Sequence, residues 1–140
     1  MASDALWQRP EGLSVIQQIV QKVIPQWSAG LRPVQLDAVA KILDGEDLLC
    51  SVATGYGKLA LFFIPILIHN ELHKNKNNYG KYAEEARSLP VGIVATPTKG
   101  LASNLVRLLN LILKYSVLKD ARFTNYHYTM LLHLLTPMLP

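Results

Sequence analysis

The spacing of apolar residues predicts two helices in the first third of the chain. Apolar residues recur at helical spacing from position 15 to position 24, with glutamines and a lysine between them. Ser14 stands at an N-cap position and Pro25 closes the segment, so the pattern predicts an amphipathic helix of about three turns. Pro33 then suits the first turn of a second helix that Gly45 ends. Its apolar stripe consists of Leu36, Val39, Ala40 and Leu43.

Apolar runs further along the chain predict alternating strands and helices. Residues 47–52 have the length and composition of a buried strand, and the run at 59–69 suits a helix that Pro65 kinks. Residues 91–95 form a second short apolar run, and a long, mostly apolar helix is predicted for residues 100–117. This alternation predicts an α/β fold in which helices flank a parallel sheet.

Composition divides the chain into three parts. Residues 1–26 form an N-terminal helical segment, residues 27–118 the principal domain, and residues 119–140 a tail of unclear structure. Within the domain, residues 71–90 change to mostly polar and charged side chains. We interpret them as a solvated insertion or a mobile loop, with a short helix around residues 82–87.

Overall composition narrows the class of protein. Half of the 140 residues are hydrophobic and 17% are charged, which is enough for one domain with a substantial core. The net charge of +4 permits a polyanionic partner without requiring one. The single cysteine, Cys50, lies in the predicted buried strand, so a disulfide framework is excluded. With no secretory signal, no apolar run long enough for a bilayer and no complete metal-ligand pattern, we expect a soluble intracellular protein without a metal site.

A glycine-rich turn between the predicted strand and helix carries the candidate chemistry. It comprises Thr54, Gly55, Tyr56, Gly57, Lys58 and Leu59. A strand that ends in such a turn and opens a helix leaves backbone N–H groups converging on one concavity, which suits a phosphate. Gly55 and Gly57 permit close approach of an anion, and Lys58 would place a charge on its terminal phosphates. The alternative is an ordinary strand-to-helix turn with a solvated lysine.

The residue after the lysine departs from the usual pattern. Nucleotide-hydrolysing loops have Ser or Thr there, whose hydroxyl binds Mg²⁺, whereas this chain has Leu59. Losing one charge-assisted interaction costs roughly 1.5–3 kcal/mol. We therefore expect nucleotide binding to survive this change and hydrolysis to suffer.

Three spaced motifs make residues 27–106 similar to the first RecA-like domain of superfamily 2 helicases, and most closely to RecQ-type ATP-dependent DNA helicases. They are Leu31-Arg32-Pro33-Val34-Gln35, Ala53-Thr54-Gly55-Tyr56-Gly57-Lys58 and Ala95-Thr96-Pro97-Thr98-Lys99-Gly100-Leu101. The resemblance implies an incomplete RecA-like P-loop NTPase domain that takes ATP or ADP, with Mg²⁺ expected for the family. Ala53 replaces the family's usual proline, and Leu59 its Ser or Thr.

Each motif brings expected site residues. The resemblance assigns Gln35 to the adenine and Arg32 to holding the nucleotide, and a glutamine amide can both donate and accept along an adenine edge. It assigns the third motif to the backbone of a translocated DNA strand, and the residues concerned are Thr96, Pro97, Thr98 and Lys99. Taken alone, the first motif also fits a helix start with a solvated glutamine, and the third a plain strand-to-helix turn.

Other parts of the family pattern do not occur in these 140 residues. There is no Asp-Glu-x-His or Asp-Glu-Ala-Asp sequence and no second RecA-like domain, whose arginine finger contributes roughly 10³–10⁵ in rate. We therefore assign no catalytic residue and expect no hydrolysis by the chain alone.

The leading expectation is a truncated helicase domain that binds ATP and touches DNA weakly, in the nucleus if the source is eukaryotic. Two alternatives stay open. One is a non-enzymatic fragment that binds a partner protein or itself through apolar surface, namely the 100–117 helix and the Leu-rich end. The other is an incomplete product without a selected function.

Overall fold

A computed structural model describes residues 5–51, 57–58, 60–88, 90–96, 103–104, 107, 115–117, 121–124 and 127–137. The chain divides into two compact units, Met1–Ser88 (unit 1) and Leu89–Pro140 (unit 2). Helices make up the regular structure described in unit 1, and strands dominate that described in unit 2. The three-part division predicted from composition remains a prediction.

In the part of unit 1 that the structure describes, three helices pack on one another and a fourth, short helix follows. They are α1 (Pro10–Val23), α2 (Pro33–Leu43), α3 (Ala60–Lys74) and α4 (Lys81–Glu84), with a 3₁₀ turn at Lys76–Asn78 before α4. The start predicted at Ser14 is wrong, because α1 begins one turn earlier with Arg9 as its N-cap. Pro10 stands at the first helical position, where its missing N–H costs nothing. Helix α2 begins at Pro33 and ends before Gly45, as predicted.

The core of unit 1 lies between these helices. Its most deeply buried large side chains are Trp7, Ile16, Ile19, Val20, Ile24, Phe63, Ile64, Ile68 and Leu72. Trp7 packs on Tyr82 with ring centroids 4.8 Å apart, although the sequence pattern assigned no core role to the first twelve residues. The backbone N–H of Trp7 donates to the Asp44 carboxylate at 2.9 Å, which joins the start of the chain to the end of α2.

The described residues of the polar stretch, 71–88 and 90, include regular structure. Helix α3 continues to Lys74 and buries Leu72, while the solvated insertion at about 71–90 remains a prediction. The short helix lies at Lys81–Glu84, and Tyr82 is buried against Trp7. Tyr82 thus attaches the short helix to the core through an aromatic contact that the average polarity of the stretch does not reveal.

A buried carboxylate connects α1 to the end of α3. Glu71 Oε1 accepts hydrogen bonds from Lys22 Nζ at 2.5 Å, Tyr79 OH at 2.9 Å and Asn75 Nδ2 at 3.0 Å. These four residues are called the Glu71 cluster below. Burial alone would raise the pKa of Glu71, but the hydrogen bonds from Lys22, Tyr79 and Asn75 and the charge of Lys22 outweigh it and lower that pKa.

The strand predicted at 47–52 is not found at the residues that are described, 47–51. Leu49 is 99% exposed, and Cys50 is exposed rather than buried. Backbone N–H and C=O groups form a strand only when a neighbouring strand bonds them, and composition does not reveal whether that neighbour is present.

Among its described residues, unit 2 contains four strands, β1 (Val91–Thr96), β2 (Tyr115–Val117), β3 (Ala121–Thr124) and β4 (His127–Pro137). Strand β1 is where the pattern predicted it. Strand β4 pairs with each of the other three, and every pairing is antiparallel; Val91 stands opposite His133 and Thr124 opposite His127.

The expected parallel sheet is therefore not present among the described strands. Only two residues separate β3 from β4, and so short a connection reverses the chain, whereas parallel strands need a long crossover. The described residues of the predicted tail, 121–124 and 127–137, lie in β3 and β4. The helix predicted for residues 100–117 cannot extend to residue 117, because β2 begins at Tyr115. Within the predicted range Ser103, Asn104 and Arg107 are helical, and the other residues up to position 114 lie outside the described part.

Candidate nucleotide-binding site

The glycine-rich turn leads directly into helix α3. Gly57 O accepts the Ala60 N–H and Lys58 O accepts the Leu61 N–H, each at 3.1 Å, so these two residues form the entry to the helix. Lys58 is exposed there, at the positive end of the helix dipole. Thr54, Gly55, Tyr56 and Leu59 lie outside the described residues.

Gln35 joins the start of α2 to this turn. Its Oε1 accepts the backbone N–H of Arg32 at 3.0 Å, and its Nε2 donates to Gly57 O at 3.1 Å. Gly57 has φ +72°, and a Cβ there would lie 2.5 Å from Gln35 Nε2. Any other residue at position 57 would be strained and would push the glutamine away. The structure thus brings together two predicted site residues that are 22 positions apart in the chain.

A pocket of about 350 Å³ opens beside this contact. That volume lies in the lower part of the range for small-molecule sites. Its walls come from the start of α2, from Gly57 and from the turn between α1 and α2. The lining residues are Gln26, Trp27, Ser28, Ala29, Gly30, Arg32, Gln35 and Gly57.

The turn between α1 and α2, residues 26–31, was not predicted to belong to the site. Its backbone is closed by two hydrogen bonds, from Trp27 N–H to Ile24 O at 2.9 Å and from Gly30 N–H to Trp27 O at 2.8 Å. The Trp27 ring packs against Phe63 of α3, with centroids 6.0 Å apart. The motif at residues 31–35 contains only polar and aliphatic residues. The aromatic part of the pocket lining therefore comes from Trp27, which lies outside that motif.

Two glutamines of α1 hold this turn, and sequence reasoning treated both as part of a solvated face. Gln17 Nε2 donates to Leu31 O at 2.9 Å and Gln17 Oε1 accepts the Leu31 N–H at 2.7 Å. Gln21 Nε2 donates to Ser28 O at 3.1 Å. Their four-residue spacing places both side chains on one side of the helix. This spacing is the sequence feature from which a shared role could have been predicted.

The remaining predicted contacts are only partly described. Thr96 is the last residue of β1 in unit 2, and Pro97, Thr98 and Lys99 lie outside the described residues. Within the described ranges no group of three or more His, Cys, Asp and Glu side chains could hold a metal ion. No helix among them is both long and apolar enough to cross a membrane.

Comparison with known proteins identifies relatives of this chain. Residues 32–130 match the DEAD/DEAH box helicase family. The chain is 36% identical over 77 residues to the ATP-dependent RNA helicase mak5 of Aspergillus clavatus, covering 53% of this chain and 10% of that protein. It is 32% identical over 117 residues to the ATP-dependent RNA helicase dbp9 of Neosartorya fischeri, covering 82% of this chain and 17% of that protein.

A third relative comes from a plant. The chain is 32% identical over 95 residues to the DEAD-box ATP-dependent RNA helicase 9 of Oryza sativa, which covers 68% of this chain and 14% of that protein. The chain thus spans less than a fifth of the length of these three relatives. No solved structure matches it.

These relatives correct one expectation. The similarity to superfamily 2 helicases is confirmed, but the particular likeness to RecQ-type DNA helicases is wrong, because the relatives are named as RNA helicases. The motif around Gln35 and the turn at Gly57–Lys58 are short, and short motifs carry a high risk of false assignment within a superfamily.

Proposed function

Because this chain belongs to the DEAD/DEAH box helicase family, we propose that it is part of the ATP-binding domain of an RNA helicase and holds an adenine nucleotide in the pocket of unit 1. Membership in the family also implies a RecA-like fold. We propose the parallel sheet of that fold on the basis of family membership alone. The observation that supports the proposal is the hydrogen bond from Gln35 to Gly57, because it joins the residue that we assign to the base to the turn that we assign to the phosphates.

The described residues fit a nucleotide in three respects. The pocket is of suitable size, Gly57 leaves its backbone accessible through its positive φ, and Lys58 is exposed at the start of α3. In this proposal the phosphates lie along residues 54–59, with Lys58 as their counter-charge. Gln35 and Arg32 contact the nucleotide on its base side, and the Trp27 ring forms an apolar wall.

Mg²⁺, which the family uses together with ATP, fits less well. Leu59 follows Lys58 and supplies no oxygen ligand, whereas Mg²⁺ is bound by oxygen atoms. We therefore propose nucleotide binding that depends little on Mg²⁺, and we assign no hydrolytic step to these residues.

For the nucleic-acid partner we propose RNA in place of the DNA expected from the sequence, since all three relatives are named as RNA helicases. Residues 96–99 would contact its phosphate backbone, and the net charge of +4 favours such a partner. An intracellular, nuclear location is part of the same proposal. Self-association through apolar surface remains a prediction.

Trp27 offers a direct test of nucleotide binding. Titrating the chain with ATP should quench Trp27 fluorescence, because this ring lines the pocket whereas Trp7 is 1% exposed in the core. Lys58→Ala should weaken ATP binding by about tenfold to a hundredfold, since it removes one charge-assisted contact. Removing Mg²⁺ should change the affinity little.

Two controls make the titration specific. Lys76→Ala removes an exposed lysine of the 3₁₀ turn and should bind ATP as the unaltered chain does. Trp27→Phe should abolish the fluorescence change but not binding measured by calorimetry. A folded chain that binds no ATP, or that binds it equally well after Lys58→Ala, would refute the proposal.

A further inference from the structure

The 26–31 turn takes its shape from side chains of α1. Gln17 bonds both backbone groups of Leu31, and Gln21 bonds the carbonyl of Ser28. Leu31 immediately precedes Arg32 and is 4% exposed, so its position also sets where α2 begins. No residue of helix α1 lines the pocket, yet α1 positions the 26–31 turn, which forms one wall of the pocket.

Gly30 shows how closely the turn fits against the glutamine. It has φ +73°, and a Cβ at this position would lie 2.1 Å from Gln17 Oε1. A side chain there would displace Gln17 from Leu31 and strain the backbone as well. Gly30 and Gln17 thus pack closely against each other, and the pocket wall from Gln26 to Gly30 depends on both.

We propose that Gln17, supported by Gln21, is a positioning residue that preorganises the base side of the nucleotide pocket without touching the nucleotide. This inference rests on the proposed function. Without the two bonds to Leu31, the turn samples more conformations in the free protein, and binding a base must order it again. The phosphate side has a second attachment that does not involve α1, because the carbonyls of Gly57 and Lys58 accept the first N–H groups of α3, in addition to the bond between Gln35 and Gly57.

The two attachments lead to a selective prediction. Gln17→Ala should raise the Kd for ATP by about tenfold, because it removes two hydrogen bonds that order the base wall. Its Kd for inorganic tripolyphosphate, which has no base, should stay within about twofold of the unaltered value. Gln17→Glu keeps the acceptor for Leu31 N–H but cannot donate to Leu31 O, so its effect should be intermediate.

Calorimetric titration of the full chain with ATP and with tripolyphosphate measures both affinities. Gln18→Ala is the matched control, because it makes the same change at an exposed position of the same helix. Urea unfolding of each variant shows that the measured protein is folded. If Gln17→Ala does not fold, Gln21→Ala takes its place, with an expected increase of about threefold in the Kd for ATP alone.

The outcomes separate this inference from the proposed function. If the unaltered chain binds ATP and Gln17→Ala binds it equally well, the inference fails and the proposed function stands. Equal weakening for ATP and tripolyphosphate would show a general structural role and also overturns the inference. A chain that binds neither compound refutes the proposed function, and the inference with it.

Discussion

Helix α1 is connected to the rest of unit 1 by two polar clusters of different chemistry. At the 26–31 turn, Gln17 and Gln21 make uncharged amide contacts with the backbone. At the end of α3, the Glu71 cluster contains a buried carboxylate with three donors, one of them the ammonium group of Lys22. The same helix thus holds a pocket wall with neutral groups and the end of another helix with charged ones.

The difference has an energetic consequence. A neutral hydrogen bond contributes about 0.5–1.5 kcal/mol, and replacing it by water contacts is often tolerated. A buried carboxylate is well satisfied only while its donors are present, and removing Glu71 leaves its three donors without this partner. We therefore expect the Glu71 cluster to govern the stability of unit 1, and the glutamine contacts to govern the shape of its pocket.

The largest expected effect tests this assignment directly. Glu71→Ala should lower the free energy of unfolding by about 2–4 kcal/mol, because it removes three hydrogen bonds and a side chain that is buried in the folded protein. Urea denaturation followed by circular dichroism measures the change. Glu85→Ala, at an exposed position just after α4, should have almost no effect, and equal effects of the two substitutions would contradict the assignment.

The pH dependence of stability distinguishes the two clusters. The pKa of Glu71 lies below its ordinary value of 4.5, so the folded state holds its proton less tightly than the unfolded state. Its contribution to the free energy of unfolding is therefore complete above about pH 5 and is lost as the pH falls through the folded pKa.

Two variants, Glu71→Gln and Gln17→Ala, are each compared with the unaltered chain to measure this pH dependence. The difference in unfolding free energy between the unaltered chain and Glu71→Gln should be constant from pH 7 to pH 5 and shrink below that. The corresponding difference for Gln17→Ala should not vary with pH, since an amide does not titrate in this range. A constant Glu71→Gln difference down to pH 3 would mean that the carboxylate charge does not stabilise the fold.

The smallest effect concerns one donor of the cluster. Tyr79→Phe removes only the hydroxyl that donates to Glu71, and it should cost about 1 kcal/mol because two other donors remain. Combining it with Glu71→Gln in a double-mutant cycle should show that the two changes are not additive. Additive effects would mean that the Tyr79 hydroxyl stabilises the fold through contacts outside the Glu71 cluster.

Much of the candidate site could be predicted because its signals are local. The order glycine, lysine, helix is typical of a phosphate site, and Pro33 followed by an apolar stripe marks the start of α2. Prediction failed where a residue's role depends on distant partners. Gln17 and Gln18 have the same chemistry and adjacent positions, yet only Gln17 faces Leu31. Glu71 looked like the start of a solvated stretch, because its partner Lys22 lies 49 residues away.

By itself, the sequence determined that α1, α2 and α3 form and where α2 begins, but not where α1 begins or α3 ends. It also determined the position of β1 and the approach of Gly57 and Lys58 to the start of α3. These features follow from periodicity, glycine and proline, which act on neighbouring residues. Only the tertiary structure decided that Trp7 lies in the core, that Gln35 reaches Gly57, that residues 47–51 are exposed and that the described strands pair antiparallel. Each of these depends on which distant segment supplies the contact, and a chain's local preferences leave that choice open.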